Sequence, residues 1–166
     1  LWWTLNEREQ TNLHNKIEAE AEYLATHIDA DLRNRIPTLQ RMAGKWETRG
    51  GTPKEEFISD ARAYLSEVPG FQSLEWVDKN FYVRWVIPLE GNEQAQNLNL
   101  ALGEKRRIAL EKAKDLRMPT VTSPVDLVQG GNGFLVYFPI YIRGNFEGFI
   151  LAVFRIQEWL DYVFSI

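Results

Sequence analysis

The segment Gly133–Ile142 constrains the fold more than any other part of the chain. Phe134, Val136, Phe138 and Ile140 occupy one alternating set and Leu135, Tyr137 and Tyr141 the other, so both sets are apolar. A strand that is apolar on both faces has to be covered on both. Phe149–Phe154 repeats the pattern after Arg143-Gly144-Asn145, a short turn of residues that tolerate positive φ. Pro139 has no N–H to give a ladder, so pairing on its side should end or bulge there. Function then turns on what covers each face: a helix on one side, and on the other either more core or a ligand.

The remainder of the composition is that of one globular domain. With 166 residues, 45% hydrophobic and 25% charged, the chain can build a real core and is not disordered. Six Trp point to strands and to a core or pocket of large side chains. A net charge of −4, with no basic stripe interleaved with aromatics, argues against a nucleic-acid partner. The absence of Cys excludes disulfides, thiol catalysis and Cys-ligated metal, and fits either redox compartment. The chain opens on Leu1 instead of Met, which suggests an excised piece of a longer protein. No run reaches the roughly 18 apolar residues that a membrane helix needs. Leu1-Trp2-Trp3-Thr4-Leu5 reads either as an aromatic belt beside a membrane span or as ordinary helix-start residues.

From about Leu5 to Trp46 the apolar positions Leu13, Ile17, Ala21, Leu24, Ile28, Leu32, Ile36, Leu39, Ala43 and Trp46 predict one very long helix. Their mean spacing of roughly 3.7 is nearer the straight-helix period than a coiled-coil heptad. Such a helix is roughly 60 Å long, so part of it should project or pair with another helix. Pro37 inside it should kink or split it. His14 and His27 stand among polar residues and read as solvated helix positions, not metal ligands.

After Gly50-Gly51, Thr52-Pro53-Lys54-Glu55 predicts a capped helix start, with Thr52 as N-cap and Glu55 completing a capping box. Val68-Pro69-Gly70 stops that helix. A hairpin of Gln72–Val77 and Phe81–Ile87 follows, then a polar loop over Glu90–Asn99. A helix from about Leu102 to Leu116 comes next, with Ile108, Leu110 and Ala113 available for burial. A strand over Thr120–Val128, the Gly130–Gly133 turn, the two opening strands and a final helix from Gln157 complete the order. The expected class is α+β: a PAS-like five-stranded antiparallel sheet on a long N-terminal helix, with a helix crossover between strands two and three. Residues 1–50 would be the long N-terminal helix and 51–166 the PAS-like domain, the two forming one structural unit.

No catalytic constellation is present: there is no Gly-x-Ser-x-Gly or Walker segment, and the acidic residues lack metal-ligand spacing. No enzyme activity, cofactor or metal is expected of this chain. Gly130–Gly133 lies between strands and reads as a hairpin turn, not a phosphate cradle. A small-molecule pocket is the better fit, since such pockets are mostly apolar with a few orienting polar groups. Arg84, inside an otherwise apolar strand, reaches either a carboxylate or solvent. Arg106 and Arg107, at the crossover helix, stand at a ligand mouth or in solvent. Tyr137 has an apolar ring and a hydroxyl that seeks a partner when buried, which suits either a pocket wall or core. Candidate ligand contacts are Trp76, Arg84, Trp85, Arg106, Val128, Leu135 and Tyr137.

Pro69-Gly70-Phe71 and Leu74-Glu75-Trp76-Val77, Pro88 with Gly91-Asn92, and Arg107 with Ala109-Leu110 and Ala113 form a pattern. It continues through Val121, Thr122-Ser123-Pro124, Gly133, Phe138-Pro139-Ile140-Tyr141, Gly148-Phe149 and Ala152-Val153-Phe154. On these residues the chain from Pro69 onward resembles CHASE domains, the extracytoplasmic sensory modules of histidine kinases and nucleotide or diguanylate cyclases. The resemblance implies a PAS-like unit behind a membrane-anchored helix, acting as a homodimer through that helix. The membrane attachment would lie in flanking segments outside this chain, and the domain would be extracytoplasmic or periplasmic. Some relatives carry a second, membrane-proximal PAS-like unit, for which this chain has little room. In the plant cytokinin receptors of the family, the resemblance puts pocket positions at Val128 and Tyr137 and the adenine-binding carboxylate at Arg106. A guanidinium has donors only, so the expected partner is an anionic or differently shaped small molecule. The competing reading is a dimerisation module whose core is filled and admits no ligand.

Overall fold

The computed structural model describes residues 2–165, with side chains from Ala30 onward (Val163 aside) and those of Lys16, Ala19, Tyr23, Thr26 and His27 before them. The aromatic start, His14 and the apolar positions Leu13 to Ile28 of the expected stripe fall outside the described side chains. The chain divides into two compact units, one ending at Arg35 and the other beginning at Ile36. Helix α1 is Trp2–Arg49. Pro37 does not split it: the helix runs on through that position. Pro37 is exposed, so water can satisfy the carbonyl that its missing N–H releases. In the first unit His27 Nδ1 donates to Tyr23 O at 3.0 Å, one turn back.

The second unit is built on an antiparallel sheet. Its elements are α2 (Lys54–Glu67), β1 (Phe71–Asp78), β2 (Val83–Ile87), α3 (Glu104–Leu116), β3 (Thr120–Val121), β4 (Val125–Asp126), β5 (Asn132–Ile142), β6 (Asn145–Arg155) and α4 (Ile156–Phe164). The strand order is β2-β1-β6-β5-β3, with β4 also on β5, and α3 crosses between the hairpin and the remaining strands. This is the PAS-like α+β arrangement expected from the sequence. The expected third strand comes out as two short pieces, because Pro124 cannot donate to a ladder. At the break the Thr122 hydroxyl accepts the Leu135 N–H at 3.0 Å. The β5–β6 hairpin closes on Arg143 (φ 51°) and Gly144 (φ 82°), two left-handed residues of the kind a two-residue hairpin turn requires. Among the described residues β5 has no partner on the β3 side past Tyr137, and the β5–β6 register shifts after Ile140, one residue beyond Pro139.

Two corrections concern local chemistry. The expected capping box does not form: α2 starts with Pro53 as N-cap and no side chain caps it. Ile108 is 57% exposed, while Ala109, Leu110 and Ala113 are the buried residues of α3. Leu110 and Ala113 meet the sheet as expected, with Ala109 in place of Ile108.

The register fixes the two faces. One carries Leu74, Trp76, Trp85, Ile150, Ala152 and Phe154, and is covered by α2, α4 and the end of α1. There Trp46 of α1 stacks on Trp76 with ring centroids 5.5 Å apart and lies 5.8 Å from Trp85. Phe134 meets Trp159 of α4 edge-on at 5.2 Å, while Phe138 lines a surface pocket together with Ala43 and Gly44 of α1. The other face carries Val77, Leu135, Tyr137, Phe149, Leu151 and Val153, packed against Ala109, Leu110 and Ala113 of α3.

Candidate site between the sheet and the crossover helix

Between β2 and α3 the chain folds back as a loop that lines the α3 face of the sheet. Asn97 N donates to Val83 O (2.7 Å), Val83 N to Leu98 O (3.0 Å) and Leu100 N to Phe81 O (3.0 Å), so the loop also covers the edge of β2. Its upstream end is pinned by Asn92, which is buried, donates to Pro88 O at 2.9 Å and accepts from Gln72 Nε2 at 2.7 Å. The loop turns Leu98 and Leu100 onto the sheet. Beneath them is a cavity of about 20 Å³ bordered by Glu75, Leu98, Arg106, Val128, Leu135 and Leu151, among others. Such a volume holds about one water.

Besides the hydroxyls of Ser73 and Thr120, three polar groups bear on this apolar face. Glu75 is 2% exposed, and the one hydrogen bond its carboxyl makes among the described residues is accepted from Ser73 Oγ at 2.7 Å. Burial raises its pKa to about 7, against the opposing pull of the Ser73 hydrogen bond and the Arg106 charge. Tyr137 is fully buried and its hydroxyl has no hydrogen-bond partner among the described residues. Burial pushes that phenol well above its usual range, with Arg106 opposing and Glu75 reinforcing the shift. Arg106, half-buried on the first turn of α3, donates through Nη2 to Asp126 O at 2.5 Å and borders both the inner cavity and a wider groove outside it.

Of the residues singled out from sequence, Arg106, Val128 and Leu135 border this cavity, and Tyr137 belongs to the apolar cluster around it. Trp76 and Trp85 do not: their rings lie 4.6 Å apart on the opposite face, against α1. The strand period puts them there, since Glu75 and Val86, their sequence neighbours, pair on the α3 side. Arg84 is exposed as well, with Nε 2.6 Å from Asp78 Oδ2. Arg84 and Trp85 instead border an open groove of about 340 Å³ between α2 and the end of β2. Glu75 was missed. Its signal was a carboxylate at the centre of an otherwise apolar strand, Leu74-Glu75-Trp76-Val77.

The sheet thus has α1, α2 and α4 on one side and, on the other, a small cavity beneath α3 and its loop. The family model for the CHASE domain matches residues 48–165, and the chain belongs to that family of sensory domains. No curated protein sequence matches it. Among solved structures it resembles an extracellular ligand-binding receptor from Desulfohalobium retbaense, at TM-score 0.69 and 14% identity over 85% of this chain and 25% of that one. It also resembles the ligand-binding domain of the Pseudomonas fluorescens chemoreceptor CtaA in complex with L-alanine, at TM-score 0.66 and 16% identity over 92% of this chain and 64% of that one. A third is the ligand-binding domain of the Pseudomonas aeruginosa amino acid chemoreceptor PctC in complex with GABA, at TM-score 0.65 and 12% identity over 86% and 63%. The chain thus spans a quarter of the first and under two thirds of the other two. At these identities the likeness is one of fold. Among the described residues no helix is long and apolar enough to cross a membrane.

Proposed function

We propose that the chain is the extracytoplasmic small-molecule-sensing part of a membrane receptor of the histidine kinase or diguanylate cyclase type. Residues 1–50 serve as the signalling and dimerisation helix and 51–166 as the sensor. The ligand binds between the sheet and α3, touching Arg106, Val128, Leu135 and Tyr137 together with Glu75. One observation carries this reading: two buried polar groups, Glu75 and the Tyr137 hydroxyl, are left short of partners on an otherwise apolar face. An unsatisfied buried group costs about 1–3 kcal/mol, and native interiors seldom keep one without use for it. The amino-acid ligands of the CtaA and PctC domains support a small polar ligand.

The cavity of about 20 Å³ is too small for such a molecule, so binding has to part α3 and the loop from the sheet. By linkage, a ligand that enters only the parted form shifts the chain toward it. A route to α1 exists at Tyr141. Its hydroxyl donates to Lys114 O at the end of α3, and its backbone N–H donates to Glu47 Oε1 of α1 at 2.9 Å.

The small cavity also favours a second reading, a dimerisation module with a filled core. Thermal-shift screening of the purified chain against a metabolite library separates the two. The sensory reading expects at least one compound to raise Tm by several degrees, with the gain lost in Arg106→Gln. A blank screen at millimolar concentrations, with the chain folded, would favour the filled module.

A further inference from the structure

We propose that the cavity under α3 takes a small zwitterion, its ammonium held by Glu75 and its carboxylate by Arg106 and the Tyr137 hydroxyl. The inference rests on the sensory reading and names the ligand class for that site.

Val86, Glu75, Leu151, Tyr137 and Thr120 pair in succession across five strands and form one row on the α3 face. Glu75 and Tyr137 are two strands apart, so their Cα atoms are roughly 10 Å from each other, with Leu151 between them. The row is polar at three points; the Thr120 hydroxyl already donates to Ala109 O at 2.6 Å, which leaves Glu75 and Tyr137, on either side of Leu151, short of partners. A single water in so small a cavity leaves one of these two without a partner.

The charges decide which ligand ends go where. Glu75, when ionised, is an acceptor only, and a buried carboxylate with one hydroxyl donor calls for a cation or a strong N–H donor. Arg106 makes no ion pair among the described residues, and its bond to the Asp126 carbonyl uses one of five N–H groups. It borders the cavity together with Glu75, and its charge opposes the upward pKa shifts of both Glu75 and Tyr137. A carboxylate between Arg106 and Tyr137 would take a charge-assisted bond from the guanidinium and the unused proton of the phenol. An amine alone leaves the Arg106–Tyr137 end unfilled, and a carboxylate alone leaves Glu75 unpaired beside it. A molecule with both groups, separated by a short apolar stretch over Leu151, satisfies the whole row.

Isothermal titration calorimetry with γ-aminobutyrate, L-alanine, n-butylamine, butyrate and adenine tests this. γ-Aminobutyrate, which has an apolar stretch between its charged groups, is expected to bind at least about tenfold more tightly than the amine, the acid, adenine or L-alanine, whose charged groups flank a single carbon. Glu75→Gln and, separately, Arg106→Gln should each weaken that binding by about tenfold or more, the loss of a charge-assisted bond. Wild-type affinity should fall by about tenfold per pH unit below about 7, as Glu75 takes up a proton, and Glu75→Gln should remove that slope. Preferential binding of n-butylamine, butyrate, adenine or L-alanine overturns the proposed ligand class and leaves the sensory site in place. So does binding of none of the five when the metabolite screen finds another compound. If none of the five binds and the screen is also blank, the ligand class and the sensory reading fall together.

Discussion

A carboxyl at the centre of an apolar sheet face ionises only against the loss of its hydration, and Glu75 has one hydroxyl donor to offset it. Ser73 on its own strand acts on it by a hydrogen bond, and Arg106 from α3 and Tyr137 from β5 are the charged or titratable groups coupled to it. With its pKa raised to about 7, the folded chain holds a proton there that the unfolded chain has already released. Stability from this group is therefore complete below the ordinary carboxyl range and is lost as pH rises toward and through about 7. The loss is roughly 3 kcal/mol at most. Urea titrations of wild type and Glu75→Gln should show that difference between pH 5 and pH 8, with the mutant lacking it. Gly148 gives a second test at this scale. It sits at φ 141°, and a Cβ on it would fall 2.0 Å from Val77 O on the neighbouring strand. Gly148→Ala should thus cost roughly 3 kcal/mol, through backbone strain and overpacking together.

Among the elements, α1 is held to the sheet by Trp46, which is 5% exposed within a cluster of Trp76, Trp85 and Phe57. Trp46→Ala should cost about 3–5 kcal/mol, read by chemical denaturation. Tyr141 ties the end of α3 to α1, and Arg117 lies 4.3 Å over its ring. Tyr141→Phe should cost about 1 kcal/mol and, on the relay reading, weaken the response of α1 to ligand without abolishing binding. The elements themselves were legible in the sequence because their apolar periods are long and regular, as in Phe134–Ile142. What escaped depends on partners: Ile108 is apolar yet faces out, and Pro124 divides a strand that alternation alone makes continuous. Trp76 and Trp85 escaped for the same reason. Their type suits a pocket, but only the pairing with Glu75 and Val86 tells which face they take.

For the whole molecule, the covering of β5 on its two sides was the first question, and it has an answer on each. Helices cover one side, with Phe134 and Phe138 beneath α4 and α1; α3 and its loop cover the other, with Leu135 and Tyr137 beneath them. Any ligand on the α3 side is one sheet thickness from α1, which is why the account makes the sheet the wall between stimulus and output. Amide hydrogen exchange, with and without the metabolite that raises Tm most, tests this directly. Slowed exchange is expected at Leu98–Leu100, Arg106–Ala113 and Leu127–Val128, with an accompanying change at Ala43–Thr48 of α1. Slowed exchange confined to Lys54–Arg62 and Arg84–Glu90, the groove between α2 and β2, would contradict it.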